Sequence, residues 1–393
     1  MPAYDVVAAG HLCLDIIPPF TAASRAAGQL LQPGKLLHVG PAVLSTGGAV
    51  SNTGIALSKQ GCRVAFMAQV GDDAFGRIII AKMSAWGETA GIAVDPEHGS
   101  SYSIVIAPPG VDRIFLHHPG CNDFFSAQRL DWEVVPAARV FHLGYPPLMR
   151  ALYADDGRGL GEMLARIKSL AVTTTLDMAM PDPDSEAGRM SWRKWLRQVM
   201  PHVDVFMPSI DEMLLLWDRN EWESCRQRGG SFVETVELAR YREIAAGLLA
   251  LGCGVVILKA GPRGLYCRTN HAERLREIPV LASATAQSWA NRELWAAAFE
   301  HDNPQSAAGA GDAAAAGILV ALLHGKSLAD TLQFGNCLGY QNLRALDTVS
   351  GIGTLAETQA LLPVLPVKET PFLDEPWRAT NQRGIWERSI HES

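Results

Sequence analysis

Two rhythms of apolar residues alternate along most of this chain. Short, nearly continuous apolar runs, "YDVVAAG" at 4–10 and "CRVAFMAQVG" at 62–71, read as buried strands. Between them "SNTGIALSKQG" at 51–61 has apolar positions at helical spacing, with Ser51 and Asn52 as cap residues and Gly61 as a stop. "DAFGRIIIAKMSAW" at 73–86 repeats the helical pattern and stops at Gly87. Strand-like runs recur at 138–144, 173–180, 203–209 and 254–261, separated by helical stretches near 157–170, 210–218 and 233–251. Strand and helix in rotation predict an α/β fold, a mostly parallel sheet covered on both faces.

One segment breaks the rotation. "SYSIVIAPPGVDRIFLHHPG" at 101–120 holds two β-rich runs around a Pro-Pro-Gly turn and reads as a hairpin, the kind of insertion that serves as a flap. Residues 16–46 lack a helical period and supply more of the same flap. After about residue 364 the sequence turns polar and proline-bearing, as in an appendage that is loosely ordered or packed on the surface.

Composition changes this picture little. The 393 residues are 48% hydrophobic and 19% charged, as expected of a chain with a sizeable core. Net charge is −7 and no Lys/Arg block stands out, so neither nucleic acid nor an anionic membrane is the expected partner. Seven scattered cysteines without a C-x-x-C pair point to a reducing, cytoplasmic setting. The start, "MPAYDVVAAGHLCLD", makes a poor signal peptide, and no apolar run is long enough for a membrane span.

The candidate chemistry centres on "AAGAGDAAAAGILVALLHG" at 307–325. A helix starting near Asp312 leaves its first N–H groups unpaired and facing the loop Gly309-Ala310-Gly311, where glycine lets a phosphate approach closely. Asp312 is then either a helix cap or a general base beside that phosphate, and on this stretch alone the cap is the stronger reading. The G-x-G-x-x-G pattern fails at Ala314, and the P-loop pattern ending in Gly325-Lys326-Ser327 fails at Val320. His117-His118 lacks spaced companions for a metal site and reads as hairpin surface or packing. Asp72-Asp73 reads as a turn with a helix cap, and Asp177 as a strand-end acid that either caps a turn or meets phosphates or magnesium.

Taken in order, Gly47-Gly48, Asn52, Gly61, Gly71-Asp72-Asp73, Gly76 and the distant Gly309-Ala310-Gly311-Asp312 resemble the ribokinase-like (PfkB) carbohydrate kinase family over roughly residues 4–360. Asp15 matches that family's sugar-binding acid, Gly120-Cys121-Asn122 its lid triplet, and "MPSIDEM" its Asn-x-x-Glu motif, with Ser209 in place of Asn and Glu212 retained. "LKAGPRGLY" at 258–266 resembles the segment bordering the nucleotide.

The resemblance implies a three-layer, doubly wound sheet over residues 1–364, with a small β lid from about 12–46 and 98–123, and an extension over 365–393. It implies transfer of the ATP γ-phosphate to a hydroxyl of a sugar or sugar-like molecule, with Asp312 as base and Gly309, Ala310 and Gly311 as anion hole. Asp15, Gly47, Gly48, Asn52 and Asn122 would hold the acceptor. Lys259, Gly261 and Gly264 would border the nucleotide, and Glu212 would organise Mg2+. A nucleoside kinase and a weakly catalytic ligand-binding relative are the alternatives. A homodimer through the lid is a further implication. The family usually has Asp-Thr-Thr before Gly-Ala-Gly-Asp; Ser306-Ala307-Ala308 here bears on nucleotide choice and on activation by a monovalent cation.

Overall fold

The computed structural model describes residues 2–20, 33–34, 36–107, 114–228, 232–373 and 375–389. Fifteen strands among them are β1 (Tyr4–Gly10), β2 (Cys13–Ile17), β3 (Val43–Gly47), β4 (Val64–Gly71), β5 (Ile92–Asp95), β6 (Tyr102–Ile106), β7 (Ile114–His118), β8 (Ala138–Gly144), β9 (Thr173–Asp177), β10 (Val205–Phe206), β11 (Val255–Lys259), β12 (Leu265–Thr269), β13 (Glu293–Ala296), β14 (Trp377–Ala379) and β15 (Ile385–Arg388). The large sheet has the order β14-β15-β13-β12-β11-β10-β9-β8-β1-β4-β5. From β5 to β11 neighbours run parallel; from β12 onward they run antiparallel.

Successive residues of the central strands face opposite sides of the sheet, as a period of two requires. Val6 and Ala8 of β1 pack with Val255 and Ile257 of β11 under one helical layer, whereas Val7 and Ala9 pack with Val256 and Leu258 under the other. This is the three-layer, doubly wound architecture. The chain leaves β1 toward β4 and β5, then returns to build β8 to β11 on the opposite side. The order therefore reverses between β1 and β8, and such a reversal opens a crevice at the carboxyl ends of the strands. His11 and Tyr145 follow these two strand ends directly.

A second sheet, β3-β2-β6-β7, sits over that edge. The expected hairpin is β6 paired antiparallel with β7, and its Pro-Pro-Gly turn lies outside the described residues, as do 21–32 and 35 of the segment 16–46.

Three local expectations are corrected. The helix expected from Ser51 spans Ala49–Lys59, with Gly48 at the N-cap (φ 88°), so Ser51 and Asn52 lie inside its first turn. Only glycine takes that left-handed cap easily, which moves the start upstream of the polar pair. The run at 203–209 keeps just Val205–Phe206 as strand. The C-terminal residues are not an appendage: β15 pairs with β13, and Trp377 packs edge-on against Tyr266. No helix among the described residues is long and apolar enough to cross a membrane.

Candidate active site

Asp312 is the third residue of the helix Ala310–Leu323, so the cap reading is overturned: Gly309, at φ 77°, holds the N-cap. A Cβ on Gly309 would lie 2.7 Å from the Thr348 side chain, so the close approach requires glycine as much as the backbone angle does. The Ala310 N–H donates to the Ala307 carbonyl at 3.2 Å. Among the described residues this leaves the Gly311 and Asp312 amides as the first-turn donors facing the loop.

The Asp312 carboxylate is buried and accepts from Asn52 Nδ2 at 2.9 Å and from the Tyr145 hydroxyl at 2.7 Å to each oxygen. Asn52 is itself fixed, because its Oδ1 accepts from Thr348 Oγ1 at 2.8 Å. Burial lifts the Asp312 carboxyl above its ordinary value, while Lys259 and the hydrogen bonds from Tyr145, Asn52 and Thr53 pull it back. The helix dipole therefore does not act alone on this group.

Lys259, at the end of β11, forms a buried ion pair with Asp177 at the end of β9; Nζ lies 2.6 and 2.7 Å from the two carboxylate oxygens. Burial opposes the ammonium charge, but Asp177, Glu212 and Asp312 outweigh it and hold Lys259 above its ordinary value. A Cβ on Gly311 would stand 3.3 Å from Lys259 Nζ, so the ammonium lies directly beneath the glycine loop. Asp177 is thus a charge partner of Lys259, and its Oδ1 also accepts the Met178 N–H at 2.8 Å where the strand ends.

Glu212 sits in the first turn of the helix Ile210–Trp217. Its Oε2 accepts the Ser209 N–H at 2.7 Å while Ser209 Oγ accepts the Glu212 N–H at 3.4 Å, a reciprocal capping box. Ser209 thereby caps the helix that carries Glu212. Burial raises the Glu212 carboxyl.

Two cavities meet here. The first, about 740 Å³, is lined by Asp15, Gly48 and Asn52 and lies under the small sheet. The second, about 580 Å³, is lined by Glu212, Lys259, Gly261, Gly264, Ala310 and Gly311. Tyr145, Gly309 and Asp312 line both. Gly264 (φ 103°) turns the chain between β11 and β12, where a Cβ would strike the Ala296 carbonyl at 2.0 Å. Gly47 stands behind Asp15: a Cβ there would fall 2.3 Å from Asp15 Oδ2.

Asn122 does not join the acceptor-side residues. It is fully buried, donates to the Leu12 carbonyl at 3.0 Å and is absent from the described lining, where Asp123 appears instead. His117, expected as hairpin surface or packing, lines the first cavity. Its Nε2 lies 3.3 Å from His11 Nε2 and its Nδ1 3.0 Å from Ser103 Oγ. Burial drives His11 down to about 3, with His117 adding to the effect, so this ring is neutral at ordinary pH.

His11 and Tyr145 escaped the motif reading. The available signal was a glycine ending each strand before a ring with a polar atom: Gly10-His11 and Gly144-Tyr145. Those glycines are register partners, and a Cβ on Gly10 would meet the Gly144 carbonyl at 2.3 Å.

Comparison with known proteins identifies the family and the fold. The pattern of the pfkB family carbohydrate kinases matches residues 5–352. An uncharacterized sugar kinase of Archaeoglobus fulgidus is 22% identical over 276 residues, covering 70% of this chain and 89% of that protein. Arabidopsis thaliana ribokinase, solved with ribose and ATP, superposes with a TM-score of 0.67 at 15% identity, over 92% of this chain and 99% of that one. A nucleoside kinase of Methanocaldococcus jannaschii superposes with a TM-score of 0.63 at 14% identity, over 92% and 99%. With a family match across nearly the whole chain, this protein belongs to the pfkB family of carbohydrate kinases and is a phosphotransferase with an alcohol group as acceptor.

Proposed function

We propose that the chain transfers the γ-phosphate of ATP to a hydroxyl of a sugar or sugar-like acceptor, with Asp312 as general base. The carrying observation is that Asp312 lies where the two cavities meet, with a donor amide beside it and an ammonium beneath. The acceptor occupies the first cavity, held by Asp15, Gly48 and Asn52, with Gly47 keeping Asp15 in place. ATP occupies the second, along Gly261 and Gly264, with Lys259 near its phosphates.

In the reaction the acceptor oxygen bonds to the γ-phosphorus, the bond from phosphorus to the β-phosphate oxygen breaks, and the hydroxyl proton passes to Asp312. The Gly311 and Asp312 amides donate to the oxygens of the transferring group, with Gly309 shaping the approach. Such transfer depends on positioning and charge neutralisation. Two buried carboxylates, Asp177 and Asp312, and the half-buried Glu212 face one ammonium, Lys259, and hard oxygen donors in excess of positive charge suit Mg2+. Glu212 would hold that ion through water. When bound, Mg2+ offsets the charge of the phosphates.

Phe115 and Tyr153 in the wall of the first cavity support a nucleoside acceptor as the second reading. Ile114 and Leu116 of β7 alternate with Phe115 and so face away from the first cavity; both are about half exposed and support a homodimer through the small sheet, which sedimentation tests. Seven free cysteines support a cytoplasmic setting.

The test is ADP release from Mg-ATP against pentoses, hexoses, keto-deoxy acids and nucleosides, with Asp312→Asn in parallel. Turnover on one acceptor, lost at least ~100-fold in the variant, is the expected result. Near-normal turnover in the variant would remove Asp312 from the role.

A further inference from the structure

The hydroxyl of Tyr145 occupies the very group that the proposed chemistry needs. Its oxygen is 2.7 Å from both Oδ1 and Oδ2 of Asp312, and equal distances put it on the plane bisecting the carboxylate. An acceptor hydroxyl delivering its proton would have to approach the same oxygens. Asn52 holds Oδ2 as well, so both carboxylate oxygens already accept from the protein.

The backbone that carries the phenol is held in this place. Tyr145 has left-handed backbone angles (φ 68°, ψ 41°), uncommon for a ring-bearing residue, and its N–H donates to the Asp177 carbonyl at 3.2 Å. Gly144 before it cannot carry a side chain, because a Cβ would stand 2.0 Å from that of Ala49. Burial, reinforced by Asp312 and Asp177, raises the phenol pKa far above normal, so the hydroxyl keeps its proton and can only donate to the base. Tyr145 also lines both cavities and is within reach of anything that enters either.

We propose that Tyr145 is a positioning residue that holds the place of the acceptor hydroxyl: without an acceptor its O–H occupies Asp312, and the acceptor must displace it to be deprotonated. This rests on Asp312 being the base. The placeholder denies that position to water. If water took it, its oxygen would bond to the γ-phosphorus, its proton would pass to Asp312, the bond to the β-phosphate oxygen would break, and ATP would be hydrolysed to ADP and phosphate.

Tyr145→Phe keeps the ring and removes the donor. Without any acceptor, ADP release from Mg-ATP should rise about 10-fold in this variant, and the rise should vanish in Tyr145→Phe/Asp312→Asn. The acid limb of phosphoryl transfer should also move up by about one pH unit, because a lost hydrogen bond to the carboxylate disfavours its charged form. The other groups facing the pair, Lys259, Asp177, Glu212 and His11, stay in place, so the movement reports the phenol alone. Unchanged basal hydrolysis with an unchanged limb, in an enzyme whose transfer still depends on Asp312, overturns the placeholder and leaves the base. Extra hydrolysis that survives in the double variant overturns the base, and the placeholder with it.

Discussion

The two cavities that meet at Asp312 differ in charge. Among the described residues of the first, the charged groups are Asp15, Asp123, Asp182, Asp312 and Asp347, with neither Lys nor Arg. The second also carries acids, Asp211, Glu212 and Asp312, but adds Lys259 and Lys368. Among the described residues, a polyphosphate meets its counter-charge on the Lys259 side of the base. On the other side an anion would face, among those residues, carboxylates without a cation, while hydroxyl groups would find acceptors.

The comparison breaks most visibly at Lys259. Lys259→Met leaves Asp177 and its neighbours without their ammonium, and stranding a buried charge costs about 3–5 kcal/mol. Thermal unfolding should show that loss, and ATP-dependent turnover should fall at least ~100-fold. Asp177→Asn/Lys259→Met, which removes both charges, should recover much of the stability and none of the turnover. Full turnover in either variant would mean that the positive charge beneath the glycine loop is not used.

Next in size is the charge of the acceptor. A neutral sugar should be phosphorylated with kcat/KM at least ~100-fold above the same sugar carrying a carboxylate or phosphate, since opposing like charges cost several kcal/mol. Steady-state kinetics on matched pairs of acceptors decide it. A preference for the anionic member would show that the acids of the first cavity do not face the acceptor.

The pH dependence sharpens the contrast further. Burial lifts the Asp312 carboxyl, and lowering the pH through that raised value protonates the base, so turnover should fall on the acid side above the ordinary carboxylate range near 4. Acceptor KM should show no inflection at the ordinary imidazole value near 6.5, because burial drives His11 down to about 3 and shifts His117 downward too. A KM inflection near 6.5 would show that the histidine pair opens to solvent when the acceptor binds.

What the sequence made legible was local. Gly-Ala-Gly-Asp carries its meaning within four residues, because the turn, the helix start and the acid are consecutive, and its landing at the junction of two cavities follows from the parallel sheet. Tyr145 and His11 have no such run. They meet because β1 and β8 are neighbours in register, a pairing made across more than a hundred residues. The Lys259–Asp177 pair spans 82 positions and joins the ends of β11 and β9. Ser51 and Asn52 misled for a physical reason: both are good caps, but a glycine in a left-handed cap upstream took the role and left Asn52 free to reach Asp312.

Asn122 gives the smallest effect and the most direct check on the acceptor cavity. In the resemblance it was an acceptor ligand; in the fold it faces inward and its Nδ2 holds the Leu12 carbonyl, just before Cys13 and Asp15 enter the small sheet. Asn122→Ala removes that donor and leaves a buried carbonyl unpaired, a loss of about 1–3 kcal/mol. Acceptor KM should change less than ~3-fold, whereas Asp15→Asn, in the cavity wall, should raise it at least ~10-fold, the weight of one charge-assisted hydrogen bond. Thermal unfolding and acceptor kinetics on the two variants therefore separate a residue that shapes the floor of the lid from one that touches the acceptor. A large KM effect at Asn122 with little change in stability would mean that the triplet turns outward when the lid closes.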